Sequence, residues 1–186
     1  MKKIISNKLS VIMIAFFCIL SDAVSGGDIP SEGKNLPDMR IQSPVSQKDK
    51  DYLGIGNNPA FGIEEIKARV VIVEIVGVYC PKCHIQNPKF NQLFNRIEKN
   101  KKLRDQVKIL AVAAGGTAME VEYWIKQYQA AFPVFADPKY ELHKLLGEPR
   151  TPYTMVITEG KKVAFAHLGA VEDIDSFFLR IQNLVP

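Results

Sequence analysis

The chain alternates between two hydrophobic patterns. Residues 70–76 (VVIVEIV) form a β-branched run broken only by Glu74, bounded by Arg69 and Gly77. A run without polar alternation suits a central parallel strand covered on both faces. From Pro81 the period lengthens to that of a helix, with Phe90, Leu93, Phe94 and Ile97 on one stripe. Pro81 stands in the first turn, where its missing N–H is tolerated, and Pro88 predicts a kink. Residues 107–113 (VKILAVA) read as a second strand, so strand, helix and strand make a right-handed parallel crossover. Another helix carries Val121, Trp124, Ile125 and Tyr128 at helical spacing, followed by a short strand at 133–136 and a short helix at 140–146. Strands at 153–158 and 162–168 are joined at Glu159-Gly160, a hairpin signal. The last helix places Ile174, Phe177, Phe178, Ile181 and Leu184 on one face. Glu172, Asp173 and Asp175 stand at its start, where the helix dipole favours acids. The order β-α-β-α-β-α-β-β-α, with the last two strands antiparallel, predicts an α/β fold: a central mixed sheet flanked by helices.

The first 50 residues differ from the rest. Lys2, Lys3 and Lys8 precede an uncharged apolar run at 9–20, and the small residues Ala23, Ser25 and Gly26 follow. Residues 1–25 therefore read as a signal peptide. Their apolar run is shorter than the roughly 20 residues of a spanning helix, and an uncleaved membrane anchor is the alternative. Cys18 lies inside this run and leaves with the leader. Residues 26–50, with Gly26, Gly27, Pro30, Gly33, Pro37 and Pro44 among polar neighbours, read as a linker with a short strand near 39–41. The domain proper is expected over 51–186.

Composition narrows the function. The 186 residues are 47% hydrophobic, enough for one cored domain and too apolar for a disordered chain. The formal charge of +4 falls to +2 without the first 25 residues. A nucleic-acid binder shows a stronger bias or a basic block. No repeat of solenoid or propeller length occurs. Three cysteines are too few for a disulfide framework, so cysteine chemistry is local. Export leaves Cys80 and Cys83 in a periplasmic or otherwise extracytoplasmic compartment that permits disulfides.

The chemically loaded stretch is Tyr79-Cys80-Pro81-Lys82-Cys83-His84, at the joint between strand and helix. Two cysteines at this spacing can close a small disulfide ring. Cys80 at the helix N-terminus would have its thiolate stabilised by free N–H groups and the dipole, with Lys82 adding positive charge. Cys80 is then the attacking sulfur and Cys83, one turn inward, resolves the mixed disulfide. An inert structural disulfide is the bland alternative, but so short a loop constrains little chain.

These residues resemble the thioredoxin superfamily: VVIVEIV, then YCPKC, then Pro88 in the helix, then Thr151-Pro152 before a strand and Gly169 after the last one. The exported context, the N-terminal extension and the strand–helix insert before Phe132–Asp137 are similar to the TlpA/ResA-like branch, with its redoxin or AhpC/TSA-like domain. The resemblance implies a thioredoxin-like fold, with Cys80 as nucleophile and Cys83 as resolving thiol. It also implies a cis-proline at Pro152 and substrate contacts from Thr151, Tyr79, Pro81 and Lys82. Glu74, six residues before Cys80, matches the buried acid of thioredoxins. Burial should raise its pKa and suit it to relay a proton to or from Cys83; the alternative is a structural pair with a helix lysine. No cofactor is implied beyond the redox-active Cys80–Cys83 disulfide. The implied partners are exported proteins with thiols or disulfides, and a membrane electron-relay protein. Nucleic acid is not among them, and the membrane is only if the leader stays. The resemblance suggests a reductant, including one acting on apocytochrome cysteines; a disulfide-forming oxidant is the alternative within the fold. This sequence departs from the family with Tyr79 for a tryptophan, Val76 for an aromatic, Gln86 for the glutamate of ResA-like proteins, and a Pro-Lys dipeptide.

Cys80-Pro-Lys-Cys83-His84 is also a literal c-type haem attachment pattern. A monohaem cytochrome would use His84 as axial ligand and need a sixth, such as Met119, Met155, His143 or His167. Against it stand the strand that feeds the motif and the strand–helix alternation. A peroxiredoxin would want threonine where Gly77 stands, and a structural zinc site would lack ligands. His84 itself is expected to face solvent.

Overall fold

The structure, a computed structural model, describes residues 27–44 and 46–186; the leader expected over 1–25 lies outside them. In chain order the elements are β1 (Ile41–Gln42), α1 (Gln47–Leu53), β2 (Ala60–Phe61), β3 (Val70–Val76), α2 (Pro81–Lys99), β4 (Val107–Ala114), α3 (Ala118–Tyr128), β5 (Val134–Asp137), α4 (Glu141–Leu145), β6 (Tyr153–Thr158), β7 (Lys162–Leu168) and α5 (Ile174–Asn183). The main sheet has the order β5-β4-β3-β6-β7. β3 runs parallel to β4, and β4 to β5, while β6 is antiparallel to both β3 and β7. This is the mixed sheet that the alternation predicts, and it is a thioredoxin-like fold.

Every side chain of β3 is buried, as a continuous apolar run in mid-sheet requires. Val70, Ile72 and Val76 face Phe90, Leu93 and Ile97 of α2, Trp124 of α3, and Phe177 and Ile181 of α5. Val71, Val73 and Ile75 face the opposite way, into Leu36, Met39, Ile41, Leu53, Phe61 and Ile63. That second layer corrects the linker expected over 26–50. Pro30 is buried and accepts the Tyr153 hydroxyl. Gly33 N–H bonds the Val163 carbonyl and Val163 N–H bonds Lys34 O, each at 2.8 Å, so this stretch covers the start of the β7 edge. β1 pairs antiparallel with β2, Ile41 opposite Phe61. The Pro- and Gly-spaced segment lacks a period because it supplies isolated apolar side chains to a surface that only the folded sheet presents.

α2 continues through Pro88. The expected turn at Glu159-Gly160 is a single 3₁₀ turn in which Gly160 takes φ 71°, a left-handed conformation that glycine adopts without strain. Among the described residues no helix is long and apolar enough to cross a membrane.

Candidate active site

The site lies where β3 gives way to α2. Cys80 N–H bonds the Gly77 carbonyl at 3.0 Å, and Cys80 becomes the N-cap of α2 with Pro81 in the first turn. Its Sγ accepts the Cys83 backbone N–H at 3.3 Å, the role a serine or aspartate oxygen plays at other helix starts. Both cysteines are thiols, Cys80 half-buried and Cys83 only 1% exposed. Partial burial pushes the Cys80 pKa up. Hydrogen bonds from the Cys83 thiol, from Thr151 and from the Cys83 and Lys82 backbone outweigh it, leaving Cys80 below its ordinary value. Cys83 is driven the other way, first by burial and then by its proximity to the Cys80 sulfur. One sulfur is thus accessible and more easily ionised than an ordinary thiol, while the other is covered and holds its proton more tightly.

Thr151-Pro152 is a cis peptide bond. It brings the Thr151 carbonyl to 3.5 Å from Cys80 Sγ, with Pro152 buried behind it. A side chain at Gly77 would be crowded. A Cβ would lie 3.2 Å from Cys80 Cβ and 3.3 Å from Thr151 Oγ1, so a threonine at this position would press on the nucleophile. Pro81 and Lys82 are exposed on the first turn of α2, and Tyr79 is exposed beside them.

Glu74 is buried on β3, 1% exposed, on the face that also carries Ile72 and Val76. Among the described residues no lysine pairs with it, in contrast to the structural alternative. The carboxylate instead accepts Gln86 Nε2 from α2. Gln86 Oε1 in turn accepts the Val171 N–H at 2.7 Å, and Nε2 lies 3.5 Å from Thr154 Oγ1. The Val171 N–H can only donate, so the amide orientation follows from it and the N–H of Gln86 must face Glu74. Burial raises the Glu74 pKa to about 8, opposed only by the Gln86 hydrogen bond. The family departure at Gln86 is therefore the residue that holds the acid.

His84 does not face solvent as expected. Its ring stacks on Tyr128 at 4.3 Å, and its Nε2 lies 2.7 Å from the Val78 carbonyl. That nitrogen must carry the proton, because a carbonyl only accepts. The haem reading fits these residues poorly. His143 and His167 likewise have Nε2 bound to the Pro149 and Ala170 carbonyls, and Met155 is sealed on the far face of the sheet. Among the described residues no group of His, Cys, Asp and Glu could hold a metal ion.

One contact was not read from sequence. Tyr79 donates its hydroxyl to Glu120 Oε1 at 2.5 Å, and Glu120 closes a capping box with Thr117 at the start of α3. The spacing Thr117-Ala-Met-Glu120 announces the capping box; the link to Tyr79, 41 residues away, has no local signal.

The model of the AhpC/TSA family matches residues 46–166. "Thiol-disulfide oxidoreductase ResA" of Halalkalibacterium halodurans is 23% identical over 111 residues, 60% of each chain; this chain thus spans less than two thirds of that relative's length. A crystal structure from Chlorobium tepidum, described as a thiol:disulfide interchange protein DsbE, superposes with a TM-score of 0.65 at 20% identity, covering 84% of this chain and 99% of that one. A secreted Mycobacterium tuberculosis disulfide oxidoreductase superposes with a TM-score of 0.58 at 11% identity, covering 78% and 96%.

Proposed function

The chain belongs to the AhpC/TSA family, and from that premise we propose that it is an extracytoplasmic thiol–disulfide oxidoreductase working through Cys80 and Cys83. The observation that carries the reading is the asymmetry of the pair: a half-exposed sulfur at a helix N-terminus with lowered pKa, and a buried one with raised pKa. The Cys80 thiolate attacks one sulfur of a substrate disulfide, forming a mixed disulfide and releasing the other sulfur as a thiolate. Cys83 then loses its proton and attacks Cys80 Sγ, closing the Cys80–Cys83 disulfide and releasing the second substrate sulfur. Two electrons pass from the dithiol to the substrate, whose two thiolates take up protons. Glu74 is the acceptor for the Cys83 proton on this reading. With a pKa of about 8, about one molecule in ten carries it ionised at pH 7. Thr151 and the flanking Tyr79, Pro81 and Lys82 meet the substrate backbone.

The leader pattern over 1–25 supports export, as does the likeness to a neighbour described as secreted. The direction proposed is reductive, on exported protein disulfides including those of apocytochromes, with a membrane relay protein restoring the dithiol. The test is the reduction potential of the Cys80–Cys83 couple, read by alkylation after equilibration with dithiothreitol or glutathione. A value near or below roughly −250 mV is expected of a reductant. A value of roughly −120 to −180 mV would instead assign the protein to disulfide formation or isomerisation.

A further inference from the structure

A groove opens between the first turn of α2 and the exposed face of α3, lined by Tyr79, the residue before Cys80. Its volume is about 370 Å³. Trp124, 2% exposed, forms the base, with the stacked rings of His84 and Tyr128 alongside. Tyr79 and Tyr123 form the rim, 78% and 65% exposed, and Met119 adds a thioether that is 80% exposed. Three large side chains exposed together around one groove form the kind of patch that marks an interaction site.

Apolar walls alone would suit an apolar guest, but Glu120 stands among them. Its pKa is lowered to about 2 by the Thr117 hydroxyl, the Tyr79 hydroxyl and the Thr117 N–H, so it is ionised at every working pH. All three donors are neutral and leave the charge uncancelled, and no ion pair among the described residues includes Glu120. An anionic guest would be repelled. A guest with an aliphatic stem and a cationic head matches both halves of the groove, since the head can meet the carboxylate and the tyrosine faces while the stem lies along the rings.

We propose that this groove is a specificity subsite for a lysine or arginine side chain of the substrate polypeptide, close in sequence to the cysteine that Cys80 attacks. The proposal rests on Cys80 being the nucleophile. Tyr79 precedes Cys80 and His84 follows one turn later, so the groove is walled by the residues on either side of the nucleophile in sequence. An extended segment advances about 3.3 Å per residue, which puts a side chain one to three residues from the substrate cysteine in the groove.

The experiment uses short peptides with one cysteine held as a mixed disulfide with neutral 2-mercaptoethanol. Lysine, norleucine or glutamate is placed at each flanking position in turn, and the reduced protein is the attacking dithiol. Norleucine keeps the stem and removes the charge. The wild type is expected to prefer lysine over glutamate by about fivefold in second-order rate constant, with norleucine between, and to lose much of that preference in high salt. Glu120→Gln keeps an oxygen for the Thr117 cap, and its lysine-to-glutamate ratio is expected to fall close to one; its circular dichroism checks that α3 is intact. Equal rates for lysine and glutamate in the wild type, a preference for norleucine over lysine, or a lysine preference that survives in Glu120→Gln each overturn the subsite. Wild-type exchange with neutral hydroxyethyl disulfide separates the two levels of the argument. If the wild type fails to react with that compound, the oxidoreductase reading falls and the subsite with it. Reaction there without discrimination among peptides removes the subsite alone.

Discussion

Replacing Glu74 with glutamine removes a proton that folding has to bind. In the unfolded chain this carboxyl titrates near 4.5, and in the folded one near 8. Between those values the folded state holds a proton that the unfolded state has released, so stability falls as pH rises. Each pH unit costs about 1.4 kcal/mol, so Glu74 destabilises the fold by about 3 kcal/mol at pH 7 and about 5 kcal/mol above pH 8 relative to acid. Glutamine has the shape of the protonated acid, and its oxygen can take the Gln86 N–H that Glu74 accepts. It needs no proton. Urea unfolding of the reduced proteins between pH 5 and 7.5 should show Glu74→Gln gaining stability over wild type at about 1.4 kcal/mol per pH unit. Cys80, Cys83 and every other titrating group are shared by the two proteins and cancel in the difference. The same substitution should slow Cys83 attack on a mixed disulfide by about a hundredfold or more, the usual worth of a general base. A variant that is more stable and slower cannot be explained by damage to the fold. Parallel stability curves for the two proteins across this pH range would refute the argument, because they would mean that Glu74 is not held neutral in the native state.

Other consequences concern the sulfurs and the core. In the reduced protein the iodoacetamide reaction of Cys80 should have its pH midpoint below the ordinary thiol value of 9.0, while Cys83 stays unmodified until the protein unfolds; a midpoint at or above 9.0 would remove the helix-start account of the nucleophile. Cys83→Ala should accumulate a mixed disulfide with substrate, visible on non-reducing gels, and Cys80→Ser should abolish exchange; full exchange by Cys80→Ser would refute the assigned roles. Phe90 is fully buried, with Phe132 and Phe177 at 6.5 and 6.0 Å, so Phe90→Ala should cost about 3–5 kcal/mol in chemical unfolding; a loss below about 1 kcal/mol would mean that the cavity refills.

By itself the sequence determined what local pattern can carry. The run at 70–76 is β-branched on both faces, so it is a strand buried on both sides, and the stripe from Phe90 to Ile97 is a helix facing it. The helix start at Cys80 and Pro81 is legible because capping and proline chemistry act over a few residues. The tertiary structure decided what no local pattern records. Periodicity tells which faces are buried and is silent on what buries them, so the cover supplied by Leu36, Met39 and Ile41 looked like a linker. The expectation that Glu74 is buried follows from its strand, but its partner comes from α2, held by the Val171 N–H 85 residues beyond Gln86. His84 and Glu120 likewise take their places from Tyr128 and Tyr79, reached only when α2 and α3 pack side by side. Hydrogen bonds and charges act over a few ångströms of space, and the chain folds residues tens of positions apart into that range.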